Sequence, residues 1–262
     1  MSISDQPTRA AQPCACAHAA LDVGDDYRFT RLSTAILLAD MSFARNDLGP
    51  GDAVPDFDLP TIGRRRFRSR ALIHHRATLM VFGSSTCPMT DNCAPGLKQL
   101  HRLYGARVAF VMVNVREAHP GARLSQPDSI EDKIAHARYL RDLHDLPFDV
   151  AVDDIEGSLH RAFGAKPNAA YLIGLDGVIL FRAHWANETT ALEGALKRVA
   201  AGQKLKRRKS SAMMGPMIRM LGDIAPVLDR AGAGAWSDLW RAAAPLAVIA
   251  ALFSPFSRRK PA

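Results

Sequence analysis

Cysteine is scarce in this chain, with four in 262 residues. So few thiols over that length cannot staple a disulfide scaffold, and each is therefore either incidental or chemical. Aromatic residues make up only 7%. The 18 Gly and 16 Pro follow no fixed period, which excludes a collagen-like or solenoid array. The longest apolar run, Ala242 to Phe253, is 12 residues, against about 20 needed to span a bilayer. Met1 is followed by Ser, Asp and Gln rather than a positive and then hydrophobic leader, so a cytoplasmic protein is expected. Glycine-rich phosphate loops, nucleophile elbows and zinc-protease motifs are all missing.

What is present is an ordinary globular composition, 48% hydrophobic and 23% charged, with a formal net charge of +8. Such an excess asks whether the partner is nucleic acid or a membrane. Residues 1–50 carry 4 Lys/Arg against 6 Asp/Glu, residues 51–202 carry 19 against 17, and residues 203–262 carry 11 against 3. The middle of the chain is nearly neutral and the last 60 residues hold the excess. A nucleic-acid-binding face should sit on the folded body, so no nucleic acid partner is expected.

The same divisions recur in the patterning. Residues 1–50 read as an extension with one short helix from about Thr30 to Arg45, where Leu32, Ile36, Ala39 and Phe43 recur at helical spacing. Residues 51–202 alternate strands and helices. A hairpin lead-in covers Asp56 to Gly63, and Thr78 to Phe82 is an apolar strand ending at Gly83. A helix then runs to about Tyr104, and Val108 to Val113 is a second buried strand. A helix over Ser129–Asp145 opens on a capping-box-like Ser129…Asp132. A strand at Phe148–Val152, a helix at Asp154–Phe163 and a strand at Ala169–Ile173 follow. Asp176-Gly177 turns into a strand at Val178–Arg182, and a last helix covers Thr189–Ala201. This order predicts an α/β fold with a central mixed sheet flanked by helices. Residues 203–262 are a basic linker (Lys204, Lys206, Arg207, Arg208, Lys209) and an apolar tail.

Chemistry concentrates at Phe82-Gly83-Ser84-Ser85-Thr86-Cys87-Pro88, where a strand gives way to a helix. A thiol at a helix N-terminus faces unpaired N–H groups and the positive end of the dipole, which favour the nucleophilic thiolate. Pro88 suits the first helical turn. Ser84 and Thr86 are hydroxyl donors expected to polarise the sulfur. Cys93 is the candidate resolving thiol, although six residues of helix rise by about 9 Å and a disulfide needs Cα atoms within about 7 Å. The alternative for both cysteines is plain packing.

This segment, with Glu117-Ala118-His119-Pro120 one crossover later, resembles the iodothyronine deiodinase family of thioredoxin-like proteins. The matches are Phe82, Gly83, Ser84, Thr86, Cys87, Pro88, Glu117, Ala118, His119 and Pro120, with Cys87 standing where that family has selenocysteine. The resemblance spans about Gly51 to Gly202. It implies a thioredoxin-like fold, an oxidoreductase without a bound cofactor or metal, and Cys87 as the atom that attacks or is oxidised. Glu117 and His119 are implied as acid/base partners, which suits a side chain that titrates near neutrality beside a carboxylate. Lys166-Pro167 stands where thioredoxin-like proteins place a cis-proline, which would make Pro167 a substrate-binding position. Asn114 and Arg116 depart from the family pattern and move the expectation towards a general thiol redox role. That role takes a small-molecule or thiol/disulfide substrate and an external thiol reductant. Ser84-x-x-Cys87 also resembles the peroxiredoxin Thr/Ser-x-x-Cys, with Met80 in place of the upstream proline. The alternatives are therefore a thiol peroxidase, or a non-catalytic binding scaffold.

Cys14-x-Cys16-x-His18 offers three ligands where a structural zinc takes four, so no metal is expected. The arginines at 64, 65, 66, 68 and 70 read as a solvated basic hairpin. The tail has two readings: peripheral membrane contact through Trp236, Trp240 and its basic residues, or packing against the redox domain or a second subunit.

Overall fold

A computed structural model describes residues 27–72, 75–205 and 208–253. Cys14, Cys16 and His18 fall outside these residues. The lead-in hairpin forms from β1 (Asp58–Pro60) and β2 (Arg66–Arg68), and its arginines are held by Asp58, with Arg65 reaching Asp149. The main sheet is built around β3 (Thr78–Gly83), every residue of which is buried. Its neighbours are β4 (Ala109–Asn114) and β5 (Asp149–Val152), both parallel to it in series. On the other side lie β6 (Ala170–Ile173) and β7 (Ile179–Ala183), both antiparallel to their predecessors. The order is β5-β4-β3-β6-β7, extended by a sixth strand, β8 (Arg208–Ser210), parallel to β7. The basic linker therefore supplies a sheet edge, which its charge and composition gave no reason to expect.

Strand periodicity sorts the core into two layers. Leu79, Val81, Phe110, Met112 and Leu172 face α2 (Pro88–Tyr104), α3 (Ile130–His144) and α5 (Thr189–Ala200). Met80, Phe82, Val111, Val113 and Tyr171 face the hairpin and a short helix, α4 (Ser158–Ala162). Ser129 caps α3 as its sequence predicts, accepting from the Asp132 N–H at 3.1 Å. α4 is shorter than the expected span because Gly157, at φ 68°, sets its start in a left-handed turn.

A third apolar cluster lies outside these layers. α1 is the seven-residue helix Thr34–Asp40, shorter than the expected Thr30–Arg45 because Ser33 caps it and accepts from the Ile36 N–H. It packs with α6 (Met214–Ala231) and α7 (Ala235–Phe253) as a cap over the start of α2. The Met-, Gly- and Pro-punctuated stretch thus forms one long helix, its Pro226 included. α7 is kinked at Ala243, two residues before Pro245, as the missing proline N–H requires.

The cap is latched by polar contacts. Arg230 donates to Asp91 at 2.7 Å and to the Ser85 carbonyl at 3.0 Å. Asn92 donates to the Arg219 carbonyl and to Asp223 at 2.9 and 2.8 Å. Gly121 lets its loop touch the end of α6, since a Cβ there would lie 2.5 Å from the Ala231 oxygen. Among the described residues no helix is long and apolar enough to cross a membrane.

Candidate active site

β3 ends at Gly83, the chain turns through Ser84-Ser85-Thr86, and Cys87 becomes the N-cap of α2 with Pro88 at its first position. The local physics read from sequence is present: the N–H groups of Met89 and Thr90 and the Thr90 hydroxyl lower the pKa of the thiol. Burial outweighs them. Cys87 is 2% exposed, and desolvation, with the Asp40 carboxylate adding to it, pushes the thiol up to about 11. In the capped molecule the sulfur is a neutral thiol at pH 7. The expected thiolate is thus corrected by packing contributed from the two chain ends.

The two sequence blocks do meet, at the turn that carries the cysteine. The N–H and hydroxyl of Thr86 donate to Glu117 Oε2 at 2.8 and 2.6 Å, and His136 Nδ1 lies 2.8 Å from Oε1. The His119 N–H donates to Thr86 Oγ1 at 3.1 Å, and the Ala118 N–H to Ser84 Oγ at 3.3 Å. Gln126 completes the turn, accepting from the Glu117 N–H and donating to its carbonyl. Ser84 and Thr86 therefore bind the Glu117–Pro120 loop to the cysteine turn, and the hydroxyl facing the sulfur is that of Thr90. Glu117 orients the turn and partners His136 rather than His119. A residue three places after a helix-start cysteine was a signal for Thr90. Nothing in the sequence marked His136.

Cys93 does not reach Cys87. α2 is unbroken from Pro88, so the helical rise of about 9 Å stands. Cys93 faces the sheet, donating to the Thr90 carbonyl and accepting from Asn168 Nδ2 at 3.5 Å, while Cys87 belongs to the cap cluster. Burial pushes the Cys93 thiol up to about 12. Both cysteines are free. Lys166-Pro167 is trans, since no cis peptide bond occurs among the described residues.

Pro167 nevertheless lines a cleft above Cys87. Its walls are Leu32, Met41, Met89, Trp185, Met217 and Leu239, with Asp40 and His119 as further polar members. The cavity volume is only about 70 Å³. His119 Nδ1 and Trp185 Nε1 are both buried without a partner. Desolvation lowers the His119 pKa to about 4, so the ring is neutral at pH 7. Desolvation also raises the Asp40 pKa to about 6, against the pull of Arg116 and Lys166. Among the described residues no cluster of metal ligands forms.

Strand order and site together define a thioredoxin-like α/β fold. No protein-family profile matches the chain. It is 36% identical over 76 residues to the methylamine utilization protein MauD of Paracoccus denitrificans, which covers 28% of this chain. The chain spans 38% of the length of that relative. A conserved protein of uncharacterised function from Geobacillus kaustophilus superposes with a TM-score of 0.51 at 19% identity, over 63% of this chain and 89% of that one. A hypothetical protein from Sinorhizobium meliloti does so with 0.50 at 19%, over 63% and 91%. These likenesses concern the fold.

Proposed function

We propose that this chain is a thiol-dependent oxidoreductase of redoxin type with Cys87 as its reacting atom. One observation carries the reading: a helix-start thiol lines an apolar cleft with His119 and Trp185, each of which has a buried ring nitrogen without a partner. Native proteins seldom leave such atoms orphaned, and a bound substrate explains them.

With a disulfide substrate, the Cys87 sulfur attacks one substrate sulfur, a mixed disulfide forms and the second sulfur leaves as a thiolate. The proton given up by Cys87 passes by way of His119 Nδ1 to that leaving thiolate. An external thiol then attacks the mixed disulfide, taking the bound half of the substrate and restoring Cys87. With a hydroperoxide the sulfur attacks the terminal oxygen, an alcohol leaves, and two external thiols reduce the sulfenic acid with loss of water. The deiodinase-like branch is the finer form of the proposal. It rests on the two motif blocks, which Thr86 and Glu117 tie together. There the sulfur takes the iodine of an iodinated phenol, the ring carbon takes a proton, and two external thiols release iodide. The distance of Cys93 from Cys87 supports regeneration by an external thiol, and the proposed setting is reducing and cytoplasmic.

The test treats the full chain separately with hydroperoxide, a small disulfide and an iodinated phenol, each with a thiol reductant. Turnover is followed, and Cys87 and Cys93 are analysed by mass spectrometry. Cys87 is expected to be modified by at least one reagent, C87S to abolish turnover, and C93S to retain it. If no reagent modifies Cys87, including in a variant with a loosened cap, the scaffold reading replaces this one.

A further inference from the structure

α7 buries the wrong side chains for a helix whose outer face meets only water. Its inward positions after the kink include Ala247 and Ala250, both 0% exposed, while Val248, Ile249, Leu252 and Phe253 are 44%, 37%, 67% and 45% exposed. Ala244, Pro245 and Ala251 are exposed as well. Small residues pack inward and large apolar ones point out, the reverse of ordinary burial. Trp240, Met214 and Ile218 on the same helical pair, and Leu38 on α1, are also exposed. Of the eleven exposed large hydrophobic residues described, eight therefore lie on the cap. A concentration of this kind marks an interaction surface.

The charge of this part of the sequence points to the partner. From Leu239 to Ala262 the sequence has four cations (Arg241, Arg258, Arg259, Lys260) and no carboxylate. The Arg241 side chain is 62% exposed, and its one ion-pair partner, Asp238, is itself buried. A second copy of the chain on this face would set Arg241 against a segment that carries the same cations and no acidic side chain. An anionic surface satisfies them, and an apolar one accepts Leu252 and Phe253. No described helix is long and apolar enough to cross a bilayer, so the segment lies along the surface. We propose that the outer face of α7 docks on an anionic lipid membrane, with the basic C-terminal residues engaging the headgroups.

The experiment is flotation of the full chain with phosphatidylcholine vesicles, with and without roughly three-tenths phosphatidylserine. The expected result is capture by the anionic vesicles alone, weakened by salt. I249S/L252S/F253S and R258Q/R259Q/K260Q should each reduce partitioning at least about tenfold. Thermal unfolding of each variant should stay at the wild-type midpoint, and the charge variant stands in if the apolar one fails to fold. Failure to bind anionic vesicles overturns the proposal. So does equal binding to both vesicle types that the substitutions leave unchanged. A wild-type dimer that the apolar variant converts to monomer, without vesicle binding, assigns the face to self-association instead.

Discussion

The sheet body and its cap treat the same kinds of residue in opposite ways. In the body, hydrophobic side chains alternate between two buried layers, and the buried Glu117 and Asn168 side chains are hydrogen-bonded. In the cap, eight large hydrophobic residues face outward beside its own buried cluster, and polar contacts latch it to the body. Cys87 sits on that seam. The body aims the thiol and the cap decides whether it is charged and reachable. A cavity of about 70 Å³ admits only a few heavy atoms, so a larger substrate requires the cap to shift.

The contrast is broken most forcefully by loosening the latch. Burial alone would raise the Asp91 pKa, but His144 and Arg230 outweigh it and hold the carboxyl below its usual range, so the pair is ionised. Removing one partner of a buried pair costs about 3 kcal/mol, which is about a hundredfold in the population of an opened cap. R230A is accordingly expected to speed maleimide labelling of Cys87 at pH 7 by up to that factor, read by intact mass. Wild-type labelling should be slower than that of a free cysteine and rise with pH towards 11. Unchanged labelling in R230A would show that body and cap move as one unit.

A smaller effect probes the body side of the seam. E117A strands the Thr86 N–H and hydroxyl and frees His136, at an expected cost of about 2–4 kcal/mol in urea unfolding. E117Q keeps one acceptor and should recover about half of that loss. If the two variants are equally mild, Glu117 does not hold the turn.

The smallest effect separates two neighbours in the cleft through acid. His119 is depressed to about 4, so the unfolded chain binds its proton first and stability falls as pH drops from about 6.5 towards 4. Asp40 is raised to about 6, so the folded chain binds its proton first and stability rises as pH falls through that value towards 4. In thermal melts across this range, H119Q should flatten the acid loss and D40N should steepen it. Slopes matching wild type in both would remove these groups from the seam.

How far the sequence carried the reading depends on the range of the forces involved. β3, β4 and the start of α2 were legible because apolar runs, a capping position and Pro88 act within a few residues. Pairing of the cysteine block with the Glu117 block was suggested by resemblance, and its atoms were not. Thr86 contacts a residue 31 positions on, and His136 lies a further 19 away. The helix in Met213–Gly234 was hidden behind its Gly and Pro residues, and only packing along α2 explains its persistence.

By itself the sequence determined that one cysteine stands at a strand-to-helix junction, that the body is nearly neutral, and that the charge belongs to the end of the chain. These follow from residue type, spacing and period. The tertiary structure decided the protonation of Cys87, the separation of Cys93, the trans bond at Pro167 and the outward face of α7. The first depends on how much water is excluded by residues more than a hundred positions away, because desolvation sums over neighbours in space rather than along the chain.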